Sequence, residues 1–327
     1  MLRLRHRIAL VPALVAVLSI GTACAGTVRA EPRASSPGAP APAATAPLPS
    51  TSAFSAPVTS TSVARRVSKL LVVVLENRSE QEALGQMPRL AAQAHHYGVA
   101  TNWYAVAHPS LPNYLELVAG STYGVRDDDP PSAHHLHGTS VFGQLTSHGR
   151  SAVTYAQRIP SPCYQQDAGR YAVRHNPATY FVDARERAAC RADNLPLGSL
   201  TRGPLHTAVT QGRLPTYALL IPDVCNDGHD CSLAQVDPWL DTWLRLIESG
   251  PDFRSGRLAV VVTFDEDDHS AGNHVLTVVA AAQLHRKVVT RRFTHASLAA
   301  APSRLAGLPP LRNGKGTPDV LRAFGLR

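Results

Sequence analysis

Four short strings in this 327-residue chain carry side chains whose types and spacing could do chemistry. The apolar run 70–75 leads into Glu76 and Asn77, the run 217–221 into Pro222 and Asp223, and the run 258–264 into Asp265, Glu266, Asp267 and Asp268. The fourth string, His108-Pro109-Ser110-Leu111-Pro112-Asn113-Tyr114, puts a serine at the head of a helical pattern through Leu115, Leu117 and Val118 that stops at Gly120. Adjacent carboxylates repel unless a cation or a shared proton neutralises them, so a metal ion is the natural occupant of such donors. A serine hydroxyl is a poor nucleophile at neutral pH and needs a neighbouring base or a metal. A helix N-terminus beside it favours a phosphate or an oxyanion. The G-x-S-x-G string of Ser-His-Asp hydrolases on α/β sheets is missing, which points Ser110 toward metal activation. Taken singly, each acid reads more ordinarily as a turn or cap residue and Ser110 as an N-cap. Asp267 and Asp268 are read as solvated loop residues.

The elements that must position these groups are legible in outline. Runs 70–75, 152–155, 217–221, 258–264 and 275–280 are short, β-branched and continuously apolar, as strands covered on both faces are. Between them lie helical stripes, such as Trp239, Leu240, Trp243, Leu244 and Ile247 running to Gly250. This order predicts a three-layer α/β/α sandwich with a mostly parallel central sheet. Ligands of such sheets bind beyond the carboxyl ends of the strands, where the strand-end oxygens would meet.

The N-terminus is of another kind. Arg3, Arg5 and Arg7 precede an apolar run 8–20 and a small-residue exit, the pattern of a secretory signal over 1–25. Ala23-Cys24-Ala25 resembles an A-x-A cleavage site, and Gly21-Thr22-Ala23-Cys24 a bacterial lipobox with Gly where Leu is usual, so Cys24 is a lipidation candidate and a membrane tether. Residues 26–67 are rich in Ala, Pro, Ser and Thr and read as an extended linker ahead of a domain over 68–327. The remaining cysteines, Cys163, Cys190, Cys225 and Cys231, form an even set that suits two disulfides in an exported protein. Proximity favours Cys163–Cys190 and Cys225–Cys231, with three pairings formally open. The formal charge of +8 invites a nucleic-acid partner, but residues 1–69 hold eight cations against Glu31 alone, and 70–327 hold 24 cations against 23 acids. A nearly neutral domain behind a basic leader argues for export and against nucleic acid.

The strings 72–79 (VVVLENRS), 108–114 (HPSLPNY), 222–231 (PDVCNDGHDC) and 263–268 (TFDEDD) together resemble the bacterial phosphoesterase family of acid phosphatases and phosphate-specific phospholipases C, within the alkaline-phosphatase-like superfamily. The likeness runs in order from about residue 68 to about 311, and four ordered motifs are far more specific than one. It implies an alkaline-phosphatase-like fold and one divalent metal ion, Ca, Mg, Mn or Zn, held by Glu76, Asn77, Asp265 and Glu266 together with the nucleophile Ser110. It further implies Asn113 and Asp223 as substrate-binding residues, and His108, His229 and His274 as pocket histidines that stabilise the phosphoryl oxygens and protonate the leaving group. His295, in a string similar to the family's T-H-x-S-L, is not assigned a role, and His175 is placed on the pocket rim. The resulting expectation is a secreted or cell-envelope-attached bacterial hydrolase, monomeric, acting on small phosphomonoesters through a phosphoserine. A phosphodiesterase or phospholipase C, and a non-catalytic envelope module that binds a metal or ligand, are the alternatives.

Overall fold

The computed structural model describes residues 66–327. The expected signal and most of the expected tether, including Cys24, lie outside the described residues. Val67 already belongs to the core and donates its N–H to Leu326 O at 3.2 Å.

The strands are β1 (Lys69–Leu75), β2 (Gly98–Ala100), β3 (Trp103–Tyr104), β4 (Ala152–Ala156), β5 (Asn194–Pro196), β6 (Tyr217–Ile221), β7 (Leu258–Phe264), β8 (Thr277–Ala280), β9 (Lys287–Val289) and β10 (Phe293–Thr294). The helices are α1 (Glu80–Gln86), α2 (Pro88–His96), α3 (Ser110–Ala119), α4 (Val141–Ser147), α5 (Ala184–Asp193), α6 (Pro204–Thr210), α7 (Leu233–Ser249), α8 (Pro251–Arg254), α9 (His295–Leu305) and α10 (Val320–Ala323). Eight strands form one sheet in the order β5-β4-β6-β1-β7-β8-β2-β9, parallel except for β8, which runs against both its neighbours. β3 and β10 pair separately.

The continuous apolar strands sit where two-sided burial requires them: every residue of β6 and β7, and all of β1 after Lys69, is buried. Helices α1, α2, α6, α7 and α8 contact one another and the sheet, while α3, α4, α5 and α9 form a second connected layer. The α7 stripe expected from Leu240, Trp243, Leu244 and Ile247 is buried and ends at Gly250. From the same helix, buried Asp237 accepts from the N–H groups of Arg89 and Leu90 at 3.0 Å, capping α2 from a distance.

Register decides what the strand ends present. Leu75 lies opposite Phe264 and Val73 opposite Leu220, so the chains leaving β1, β7 and β6 emerge side by side at one edge of the central sheet. The three acid-bearing turns seen in the sequence are therefore neighbours. Both disulfides are the proximity pairs, Cys163–Cys190 with Cα atoms 5.3 Å apart and Cys225–Cys231 with 4.6 Å. The second closes the loop after β6.

At the opposite end of β1, buried Asp252 accepts from Lys69 Nζ at 2.7 Å, Arg257 Nη2 at 2.6 Å and Leu214 N at 3.0 Å. Asp252→Ala strands one buried N–H and two part-exposed cations, so a loss of about 2–3 kcal/mol is expected. Urea unfolding monitored by circular dichroism measures it, and a loss below about 0.5 kcal/mol would show the cluster to be dispensable.

Candidate active site

Glu76 is fully buried at the exit of β1, and its carboxylate is the meeting point of three elements. Oε2 accepts from Ser110 Oγ at 3.0 Å and lies 3.4 Å from His175 Nε2; Oε1 accepts from the Tyr114 hydroxyl. Ser110 and Tyr114 are one turn apart on α3, so one helix face delivers both to the same acid. That helix is buried along its whole length and ends at Gly120 with φ +60°, where a Cβ would stand 2.9 Å from Leu311 O. Only glycine allows it to stop there.

Asn77 has φ +49°, a left-handed conformation that Asn tolerates better than most residues. The turn aims its groups at the neighbouring strand: its N–H donates to Asp265 Oδ1 and its Nδ2 to Glu266 Oε1, both at 3.0 Å. Glu266 also accepts from Asn113 Nδ2 at 3.1 Å and stands 3.2 Å from His108 Nδ1, so both its oxygens face protein groups. Behind this pair, buried His295 donates from Nε2 to Asp265 O at 2.6 Å and accepts from Trp103 Nε1 at 3.2 Å. Burial pushes that imidazole down to about 4, which suits a neutral ring fixing a backbone carbonyl.

The loop after β6 supplies a further acid. Asp227 Oδ2 lies 3.2 Å from His175 Nδ1, and Asp227 Oδ1 accepts from His229 N at 2.8 Å. The loop is fastened by Cys225–Cys231 and by Arg78, whose Nη2 donates to Gly228 O at 2.9 Å. His229 lies half-exposed at its edge, with Nδ1 2.7 Å from Asp230 and Nε2 3.2 Å from Arg174 Nη2.

Several expected residues stand elsewhere or act differently. Asp223 is buried but occupied as a turn residue, accepting from Cys225 N, Asn226 N and Arg158 Nε. Asn113 is equally enclosed: its Oδ1 accepts from Val106 N and Ala107 N, and its Nδ2 donates to Ala107 O and Glu266. Neither turns a free group outward for a substrate, because the chain reversals around them consume their polar atoms. His274 contacts Glu80 Oε2 at 2.9 Å and Thr101 O at 3.2 Å and stacks on Tyr104, so the structure does not bring it to Ser110. Asp267 is not solvated: it is buried, accepts from the N–H groups of His269, Ala271 and Asn273, and lies 3.1 Å from His108 Nε2. Asp268 is exposed as expected. His175 is an interior residue rather than a rim one. Asp227 and Tyr114 carry no expected role although both stand inside the motif strings; their only signal in the sequence is that position, Tyr114 next to Asn113 and Asp227 two residues from Cys225 and from His229.

Glu76, Asp227, Asp265 and Glu266 thus converge without a Lys or Arg partner to any of them among the described residues. Burial raises all four carboxyls, Asp265 to about 7, Asp227 to about 8 and Glu266 to about 9; at Glu76 and Glu266 neighbouring carboxylates add to the rise. Burial also lowers His175 well below its ordinary range, helped by Arg174 and His229. Asn77 Oδ1, Asp265 Oδ2, Asp227 Oδ2 and His175 Nε2 are buried without hydrogen-bond partners among the described residues, and ligand atoms of Glu76, His175 and Asp227 lie within 4.8 Å of one another. Unpaired oxygens, an imidazole nitrogen and excess negative charge are the donor set of a divalent cation, and these residues fit one.

Carboxyls that titrate near 7–9 in the fold and near 4 in the unfolded chain hold protons the unfolded chain has released. Their contribution to stability is complete below about pH 4 and lost as pH rises through 7–9. In chelator, the melting temperature is expected to fall from about pH 5 to about pH 8.5, and an added divalent cation to reverse the fall. A chelated protein whose melting temperature rises over that window would refute the crowding.

A sequence model of the Phosphoesterase family matches residues 85–288. A phosphatidylinositol-3-phosphatase of Mycobacterium tuberculosis is 28% identical over 263 residues, covering 78% of this chain and 82% of that protein. An acid phosphatase of Aspergillus fumigatus is 27% identical over 259 residues, covering 75% of this chain and 56% of its own length. Among solved structures, an alkaline phosphatase superfamily protein from Vibrio parahaemolyticus superposes with a TM-score of 0.52 at 13% identity, over 80% of this chain and 72% of that one. At that identity the likeness concerns the fold alone.

Proposed function

This chain belongs to the Phosphoesterase family and is a phosphoric ester hydrolase, and we propose that it is an exported, metal-dependent phosphomonoesterase working through a phosphoserine on Ser110. The observation that carries the proposal is the 3.0 Å hydrogen bond from Ser110 Oγ to Glu76 Oε2, at the head of a buried helix and inside the crowded carboxylate group. Asn77, Asp265 and Glu76 with Ser110, adjoined by Asp227 and His175, are the residues that would hold the cation. Bound there, the ion would lower the serine pKa and offset the carboxylates that otherwise repel a phosphate.

The chain's own groups divide the remaining work. Glu76 Oε2 is within reach of the proton that Ser110 Oγ gives up as the Oγ–P bond forms and the ester P–O bond breaks. Tyr114 donates to the other Glu76 oxygen and keeps the acid turned toward the serine. Arg174 and His229 at the mouth supply positive and hydrogen-bonding groups for the phosphoryl oxygens, and His229 a proton for the leaving oxygen. Water then attacks phosphorus, the Oγ–P bond breaks and Ser110 recovers its proton. His108 supports Glu266 and Asp267 instead of the substrate, and His274 takes no part.

The relatives' names, a phosphatidylinositol-3-phosphatase and acid phosphatases, denote removal of monoester phosphate, which favours monoesters over diesters. Export is proposed from the signal-like segment 1–25 and the two disulfides. The expected outcome is phosphate release from an aryl monophosphate at a rate far above that from a bis-aryl diester, abolished by chelator and restored by a divalent cation. Ser110→Ala is expected to lower kcat about 10³-fold or more while melting as the parent does, and acid quenching of the parent to trap label on Ser110. Robust turnover by a folded Ser110→Ala protein overturns the phosphoserine. Faster cleavage of the diester overturns the monoester assignment.

A further inference from the structure

The near-neutral total of the domain conceals a separation of charge. Residues 269–318 contain Arg286, Lys287, Arg291, Arg292, Arg304, Arg312 and Lys315 and no carboxylate at all. Two of the seven are spent internally: Arg304 donates to the backbone oxygens of Pro318, Gly314 and Thr317, and Arg312 donates to Thr139 O and lies over the Tyr123 ring. Arg286, Lys287, Arg291 and Arg292 are exposed, and none forms an ion pair among the described residues. Asp319 lies in the same groove of about 500 Å³, but it is already bound to Arg327 at 2.7 Å.

These four cations lie on one path. β9 is the outermost strand of the sheet, and its Val288 is 58% exposed, the most of any exposed large apolar residue described. From there the chain runs beside residues 98–104: Thr101 N donates to Val289 O, Asn102 Nδ2 to Thr290 O and Phe293 N to Asn102 O, and β10 pairs with β3. Arg292 lies 3.9 Å over the Tyr104 ring. Two residues beyond Tyr104, Val106 is 40% exposed in the loop that leads through His108 to Ser110. β9 is parallel to β2 and both run against β8, as β7 does, so its carboxyl end, with Arg291 and Arg292, faces the same way as the strand ends that carry the site.

We propose that this edge, with Lys287, Val288, Arg291 and Arg292 at its centre and Val106 toward the mouth of the site, docks the protein on an anionic lipid surface. Unpaired cations interleaved with exposed valines match such a surface in both charge and apolar content. A polyanion without an apolar phase would leave Val288 and Val106 unused. The surface is independent of the reaction at Ser110, so it can be tested without turnover.

The test is sedimentation of the full chain with vesicles of phosphatidylcholine alone and with about a third phosphatidylglycerol. The parent is expected to partition onto the mixed vesicles and not onto the zwitterionic ones. Arg291→Glu with Arg292→Glu lowers that partition about tenfold or more, and Val288→Asp lowers it as well. A charge-matched control, Arg185→Glu with Arg191→Glu on the exposed side of α5, keeps parental partition. The N-terminal 65 residues are common to all, so differences report the edge; melting temperatures equal to the parent's show that each variant folds. Parental partition by the Arg291/Arg292 variant overturns the proposal, as does an equal loss in the control. Retention on heparin without partition onto mixed vesicles overturns it too, in favour of a polyanion partner.

Discussion

Glu76, Asp227, Asp265 and Glu266 are held together at the ends of three adjacent strands, out of water and without a Lys or Arg on any of them among the described residues, and their mutual repulsion sets the terms for the rest of the molecule. Each is met by donors that cannot carry a full positive charge at neutral pH: a serine and a tyrosine on Glu76, a backbone N–H on Asp265, two amides on Glu266, a depressed histidine beside Asp227. Such donors orient a carboxylate without neutralising it. The excess negative charge is left for something that arrives from solution, either protons or a cation.

Holding unfavourable charges in place requires supports that are otherwise hard to explain. The left-handed Asn77, the cross-linked loop 225–231, the Arg78 clamp and the Trp103–His295–Asp265 relay all stiffen the turns that carry the acids. The favourable burial lies behind them, in β1, β6 and β7 and in the fully enclosed helix α3. Local strain and repulsion at a site, offset by a well-packed scaffold, is the expected balance for a chemical centre.

A phosphoester is an anion, and an uncompensated cluster of carboxylates would exclude it. Substrate access and cation occupancy are therefore coupled by simple electrostatics. The external cations of residues 286–292 do not relieve this, since they lie along the edge strand and its continuation and make no ion pair with the buried acids. Charge of one sign is inside at the strand ends, and charge of the other is outside along the edge.

Much of the fold was legible because continuous apolar runs have few alternatives to a covered strand: β1, β6 and β7 match within a residue, and α7 ends at the expected Gly250. The acids after those strands were visible for the same reason, since a strand end is a fixed place. Asp223 and Asp227 show the limit. They are four residues apart in one turn-rich string, and nothing local tells which closes the turn and which faces His175. His175 and Trp103 lie in segments of weak periodicity, and their partners are about fifty to two hundred residues away. The sequence by itself determined the α/β architecture, the strand-end carboxylates and the serine at a helix head, because periodicity and turn chemistry are local properties. Only the tertiary structure decided which of those polar atoms are spent on the backbone and which are left bare, because that depends on strand register and on how loops distant in sequence close over one another.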